Sequence, residues 1–261
     1  MMPDNLERVV IPDGITEPEW RARCDLAAAY RLAALYGWTD LNNTHFSLRV
    51  PGTEDEFLLN PFGMFFDEIT ASSLIKVNSE GEVIGQADYP LNPAGFVIHG
   101  AIHLSEAGHD CVIHTHSRFG TAVAMQRQGL LPASQKALTV MGWVGYHDFE
   151  GPALDVDEQP RIVRDLGGKR ILILRNHGLL SVGATVGEAF VWIYRIETAC
   201  RQQIDALTGG AELMCLSEET QEKSIRQGLE MYGSGGFIEV GLEWSALLRQ
   251  LERAGMGDYR V

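Results

Sequence analysis

The chain has 261 residues, 45% of them hydrophobic, which is enough for one large core or two small ones, and nothing in its composition divides it. Lys and Arg number 21 against 35 Asp and Glu, and the net charge of −14 repels phosphate backbones and anionic lipid heads. Nucleic acid and membrane surfaces are thereby excluded as general partners, and an anionic small molecule would need a local basic or backbone-amide pocket.

The N-terminal stretch MMPDNLERVVIPDG lacks a basic flank followed by an apolar run, and no apolar run approaches the ~20 residues of a membrane span. Cys24, Cys111, Cys200 and Cys215 show no paired spacing of the zinc-ribbon or redox kind, and three of them fall in apolar periodic segments. Free thiols in a reducing cytoplasm are expected.

The first predicted element is a helix over roughly Glu17 to Tyr36. Thr16 and Glu19 have capping-box spacing, Trp20, Cys24, Ala28, Leu32 and Leu35 recur at helical intervals, and Gly37 ends the run. HFSLRV and EFLLN, separated by the turn-prone PGTEDE, read as an antiparallel hairpin entering a sheet. IKVNSEGEVIG reads as a second hairpin turning at Ser79 to Gly81. Phe96, Ile98 and Ile102 suggest a helix begun near Asn92-Pro93, running to Ala107 and ended by Gly108. CVIHTH is a short β-branched run feeding a helix in SRFGTAVAMQRQG. PRIVRDLGGKR then leads through a Gly-Gly turn into ILILRNHG, a continuous apolar run of the central-strand kind.

Thr185 and Glu188 form another capping box, opening a long helix to about Leu207 with Val186, Phe190, Ile193, Ile196, Cys200 and Ile204 on its buried face. Residues 217–261 give two amphipathic helical segments around GSGG. The order predicts an α/β fold, helices flanking a mixed sheet in a three-layer α/β/α sandwich. One domain over 1–261 is expected, its core at about 17–207 and residues 217–261 forming a helical C-terminal extension.

His114 and His116 are one residue apart in a predicted strand, and alternation sends positions i and i+2 to one face, so both imidazoles can converge on one ion while Thr115 points away. His177 sits just after the strand ILILRN, and open α/β sheets place ligands at the carboxyl ends of their strands. Three neutral imidazoles suit Zn²⁺, with Mn²⁺, Fe²⁺ or Co²⁺ as alternatives, and leave a coordination position for water or substrate. His99 and His103, four apart on a predicted helix, share a face that suits a second metal pair, a proton relay or plain hydrogen-bonded packing; His99 is the better catalytic candidate. Arg175 is open to two readings, an anion contact across the sheet end or a salt-bridged strand edge.

The strings NNTHFSLRV, LLNPFGMFFDEITASSLIKVNSEGEV, NPAGFVIHGAIH, CVIHTH, VGYHDFEG and ILILRNHGLLSVGATVGEAF resemble the class II aldolase/adducin family over about Glu17 to Leu207, in detail the adducin head and its bacterial relatives. The resemblance implies a largely antiparallel central sheet and zinc bound by His114, His116 and His177. It further implies a homotetramer with sites between subunits, in a chain whose N-terminus and apolar runs predict a cytoplasmic location. Aldolases of the family use a glutamate four residues before the histidine matching His99; Gly95 stands there in this chain and cannot carry a proton.

Tyr146 matches the family's proton-donating tyrosine, supplied from a neighbouring subunit, and His147 with Asp148 is a secondary acid/base candidate. Asn42 to Ser47 and Asn60 to Gly63 match the phosphate-binding loops, which makes Asn42, His45, Asn60 and Gly63 candidate substrate contacts. His45 replaces a family asparagine; it either binds a carboxylate or phosphate or simply packs.

The function expected is a divalent-metal-dependent lyase-like enzyme (aldolase, decarboxylase, epimerase or dehydratase) that works through a metal-stabilised enediolate. Its substrate would be a small hydroxy-carbonyl compound: a sugar, sugar acid or keto acid. The alternative is a non-catalytic adducin-like binding or scaffold module that keeps the metal site.

Overall fold

A computed structural model describes residues 11–85, 87–105, 109–152, 155–236 and 238–261. The first helix, α1 (Glu17–Leu35), starts where expected: Thr16 Oγ1 accepts from the Glu19 amide at 3.3 Å. Strands β1 (His45–Arg49), β2 (Glu56–Leu59), β3 (Ile75–Asn78) and β4 (Val83–Ile84) form the two expected antiparallel hairpins. Helix α2 (Pro93–His103) follows, and the predicted stop at Gly108 lies outside the described residues.

Strand β5 (Cys111–Thr115) feeds α3 (Arg118–Ala124), and α5 (Gln159–Leu166) leads into β7 (Ile171–Leu174), both as the sequence suggests. Three further elements escaped the sequence reading: α4 (Gln135–Met141), β6 (Val144–His147) and β8 (Gly178–Gly183). The cap expected at Thr185 and Glu188 forms, with the glutamate reaching back one residue beyond the threonine. Thr185 Oγ1 accepts from the Glu188 amide at 3.1 Å, Glu188 Oε2 accepts from the Ala184 amide at 2.8 Å, and α6 (Val186–Leu207) begins there. The tail supplies α7 (Glu218–Tyr232) and α8 (Val240–Arg253). Among the described residues no helix is long and apolar enough to cross a membrane.

The described strands make one sheet in the order β4-β3-β2-β1-β5-β8-β7-β6, antiparallel throughout except for the parallel β6–β7 pair. One face carries the larger core, in which Phe46, Ile113, Ile171, Ile173 and Leu179 pack against Leu26, Tyr30, Phe190 and Ile193 from α1 and α6. Leu251 of α8 and Tyr259 join the same cluster, so the C-terminal extension is part of this core. The opposite face is covered by α2 and α5, where Ile98, Ile102, Ile162 and Leu166 meet Val112, Leu172, Leu180 and Val182. Alternation places His45, Ser47 and His114 on this second face: Ser47 pairs with Val112, and His45 pairs with His114.

Tyr30 fixes the register of α1 against β1. Its hydroxyl accepts from the Phe46 amide at 2.6 Å and faces the Phe46 carbonyl at 2.6 Å and Asn60 Oδ1 at 2.8 Å, and its ring stacks on Phe46 at 4.5 Å. Tyr30→Phe strips these buried groups of their partner, and the expected cost is about 1–3 kcal/mol in chemical denaturation. A change within error would mean that Phe46 and Asn60 find other partners.

Candidate metal centre

His114, His116 and His177 meet at one end of the sheet, their candidate ligand atoms all within 4.8 Å of one another. Ring centroids lie 4.7 to 4.9 Å apart in all three pairs. The two contributing strands, β5 and β7, are not neighbours. Strand β8 runs between them in the opposite sense, so their carboxyl ends still fall on the same side. The β7–β8 turn presents His177: Asn176 takes a φ of 58°, a left-handed conformation asparagine tolerates, and the His177 amide closes on the Leu174 carbonyl at 3.0 Å. Gly178 must be glycine, because a Cβ there would stand 2.4 Å from the Thr115 carbonyl oxygen.

Hydrogen bonds fix which nitrogen of each ring faces inward. His114 Nδ1 donates to the Leu179 carbonyl at 3.0 Å, and His116 Nδ1 donates to Asp40 Oδ2 at 2.9 Å. With both rings neutral, the two Nε2 atoms face each other with lone pairs only 3.0 Å apart. Two lone pairs at that distance repel unless a cation stands between them, and three neutral imidazoles are a donor set that divalent transition metals accept. Burial and the neighbouring His177, His45 and His116 rings push His114 well below the ordinary histidine range, while burial with His116 and His147 brings His177 down to about 4. Neutral rings are what a metal requires.

Asp40 was not anticipated. It lies 76 residues from His116 in a turn before β1, and only the fold places a carboxylate behind that ring.

Next to this cluster lies a second group of buried histidines. His45 Nδ1 is 2.8 Å from His99 Nε2, and Ser47 Oγ bridges His99 Nδ1 (2.5 Å) and His103 Nε2 (2.6 Å). His103 Nδ1 faces the His109 carbonyl at 3.2 Å. The helical pair His99 and His103 thus forms a hydrogen-bonded chain and not a second metal pair. Ser47 was foreseeable, two residues after His45 on the same strand face. Burial first of all pulls both His45 and His103 down to about 3.

The other candidates lie apart. Tyr146 points to the α6 face of the sheet, opposite His114; its hydroxyl accepts from the Leu130 amide at 3.1 Å and its ring lies under the Arg175 guanidinium at 4.6 Å. Within its own chain it does not join the histidines. Arg175 also pairs with the exposed Asp148 at 3.4 Å. His147 makes no pair with Asp148 because both its nitrogens are taken, by Asp165 at 2.8 Å and Glu158 at 3.1 Å. Asn60 is buried at the end of β2; its Oδ1 is held by Tyr30, and its Nδ2 is without a partner among the described residues. Gly63, at φ 120°, lies under the Tyr89 ring. Asn42 is half-buried in the turn before β1.

Residues 24–204 match the family model of the Class II Aldolase and Adducin N-terminal domain. The crystal structure of an aldolase II superfamily protein from Pseudomonas syringae superposes with a TM-score of 0.86 at 47% identity, covering 95% of this chain and 98% of that one. An L-fuculose 1-phosphate aldolase from Glaciozyma antarctica gives a TM-score of 0.77 at 27% identity over 97% and 98%. Rat alpha-adducin is 41% identical over 89% of this chain, which corresponds to 33% of adducin's own length.

Two outcomes are expected. Asp40→Asn leaves His116 without its orienting carboxylate and lowers divalent-metal affinity about 10- to 100-fold by calorimetric titration; unaltered affinity would remove Asp40 from the site. The second concerns His103, whose ordinary value of 6.5 applies to the unfolded chain. Below pH 6.5 the unfolded chain binds a proton that folded His103 refuses, so stability is full above 6.5 and drains away as pH falls towards 3. The loss reaches at most about 1.4 kcal/mol per pH unit for this group, and His103→Gln should flatten the melting-temperature profile between pH 6.5 and 4; a profile equally steep in the variant would assign the acid lability elsewhere.

Proposed function

The chain belongs to the class II aldolase and adducin family, and from that premise we propose that it is a divalent-metal-dependent lyase acting on a small hydroxy-carbonyl compound, a sugar, sugar acid or keto acid. The observation that supports this reading is the approach of His114 Nε2 to His116 Nε2 at 3.0 Å with both Nδ1 hydrogens already committed. A zinc or similar ion held there would supply Lewis-acid polarisation of the substrate carbonyl and leave room for substrate in its coordination sphere.

The chain's own residues do the rest. His114, His116 and His177 would bind the ion, and the Leu179 carbonyl and Asp40 hold two of the rings in orientation. The buried, unpartnered Asn60 Nδ2 is a donor that a substrate oxygen would complete, and Asn42 and Gly63 are further substrate contacts on the match to the family's phosphate-binding loops. Arg175 is the nearby cation for an anionic substrate. Tyr146, which faces away from its own histidines, serves the site of a neighbouring subunit in a homotetramer as proton donor to the leaving half. Gly95 cannot carry a proton, so the step next to the carbonyl needs another group.

The test is elemental analysis of purified protein with turnover of a panel of sugar acids, ketose phosphates and 3-keto acids. One metal per chain, lost in His114→Ala together with all turnover, is expected. Protein that binds metal but turns over nothing in the panel would favour the scaffold reading, and protein without metal affinity would end both.

A further inference from the structure

We propose that His45 is the catalytic proton carrier of this site, standing over Gly95 and wired through His99 and Ser47 to His103. The inference rests on the lyase reading above and names the group that reading leaves open.

The first observation is steric. Gly95 lies on α2 directly above the His45 ring. A Cβ built on Gly95 would stand 2.9 Å from His45 Cδ2, 3.0 Å from Cγ and 3.3 Å from Nε2. The imidazole fills the space that a side chain at position 95 would need, so glycine at 95 and histidine at 45 are two halves of one arrangement. The same ring pairs across the β1–β5 ladder with His114, centroids 5.3 Å apart, so its edge borders the three-histidine cluster. It is not a fourth ligand: the group whose ligand atoms lie within 4.8 Å of one another is His114, His116 and His177.

The second observation is the direction of the hydrogen bonds. The His109 carbonyl can only accept, so His103 Nδ1 donates to it. In a neutral ring His103 Nε2 is then an acceptor, and the Ser47 hydroxyl donates to it. Ser47 Oγ in turn accepts from His99 Nδ1, which leaves His99 Nε2 to accept from His45 Nδ1. One end fixes the whole chain: His45 must present a bare Nε2. A bare nitrogen accepts a proton, and only after doing so could it donate to a phosphate or carboxylate.

The transfer balances along the relay. The carbon–hydrogen bond next to the substrate carbonyl breaks, its electron pair stays on the substrate, and the proton goes to His45 Nε2. The Nδ1 proton of His45 passes to His99 Nε2, that of His99 Nδ1 to Ser47 Oγ, and that of Ser47 to His103 Nε2. The positive charge passes only transiently to His103, at the far end from the metal cluster; burial disfavours it there at rest, so the reverse sequence returns a proton to product. Ser47, His99 and His103 are positioning residues in this scheme.

Two measurements test it. Nitrogen-15 spectra of the metal-free protein with labelled histidine should show His45, His99 and His103 each protonated on Nδ1 alone; a proton on His45 Nε2 overturns the proposal whether or not a substrate is known. With a compound that the wild type turns over, His45→Ala should lower kcat and the washout of deuterium next to the carbonyl about 100- to 10,000-fold, with KM and metal content close to wild type. Ser47→Ala should lower kcat less, leave KM alone and change the tautomer of His99 or His103. The double variant His45→Ala with Gly95→Glu, which clears the space and returns a carboxylate, should recover part of the loss. Washout that survives His45→Ala overturns this proposal alone, whereas a wild type that exchanges no substrate proton overturns the lyase reading and this one with it.

Discussion

Two imidazole nitrogens held face to face at 3.0 Å, each on a ring whose other nitrogen is already bonded, are the constraint on which the proposed chemistry depends. The arrangement exists because each ring spends its Nδ1 hydrogen elsewhere, on the Leu179 carbonyl and on Asp40. The first of these anchors is not adjustable. Leu179 belongs to β8, pinned between β5 and β7, and the close approach of Thr115 to Gly178 leaves no space for the strand to shift. A sheet that brings two parallel strand ends together across one antiparallel strand is what turns three separate histidines into one donor set.

The two faces of the sheet divide the work. The α1–α6 face carries the larger apolar cluster and anchors β1 through Tyr30. The α2–α5 face has a smaller apolar cluster, and its open end holds polar residues: His45, Ser47, His99, His103 and His114 are all buried there. Buried imidazoles without partners would be costly, and the serine bridge satisfies them with a single hydroxyl that donates one way and accepts the other. The close fit of Gly95 and His45 sits at the border between this polar chain and the candidate metal cluster, which is where the proposed proton transfer would cross.

Membership of the family is broad in what it implies. An L-fuculose 1-phosphate aldolase shares the fold over nearly the whole chain, and alpha-adducin shares the sequence over a third of its own length. Both relationships run through the same sheet, so the fold alone does not choose between catalysis and scaffolding. The choice turns on side chains at the sheet end, and here the three candidate ligand histidines are present while position 95 is glycine.

Much of this was open to a reading of residues alone. Capping boxes at Thr16 and Thr185 located the two long helices, because an N-cap is a local interaction between residues three apart. The one-residue spacing of His114 and His116 announced a shared face, because strand alternation is also local. The short strands Val144–His147 and Gly178–Gly183 were not legible; each contains glycine, and each is a strand only because a neighbour hydrogen-bonds to it. The missed helix Gln135–Met141 is only seven residues long and packs against the tail helix Glu218–Tyr232, a contact no local pattern encodes. For the same reason Asp40 behind His116, the side of the sheet that Tyr146 faces and the ring of His45 over Gly95 came only with the tertiary structure. Sequence determined which residues could ligate and which elements would carry them; long-range strand pairing decided which of them meet, since the distances that matter join residues 50 to 80 positions apart.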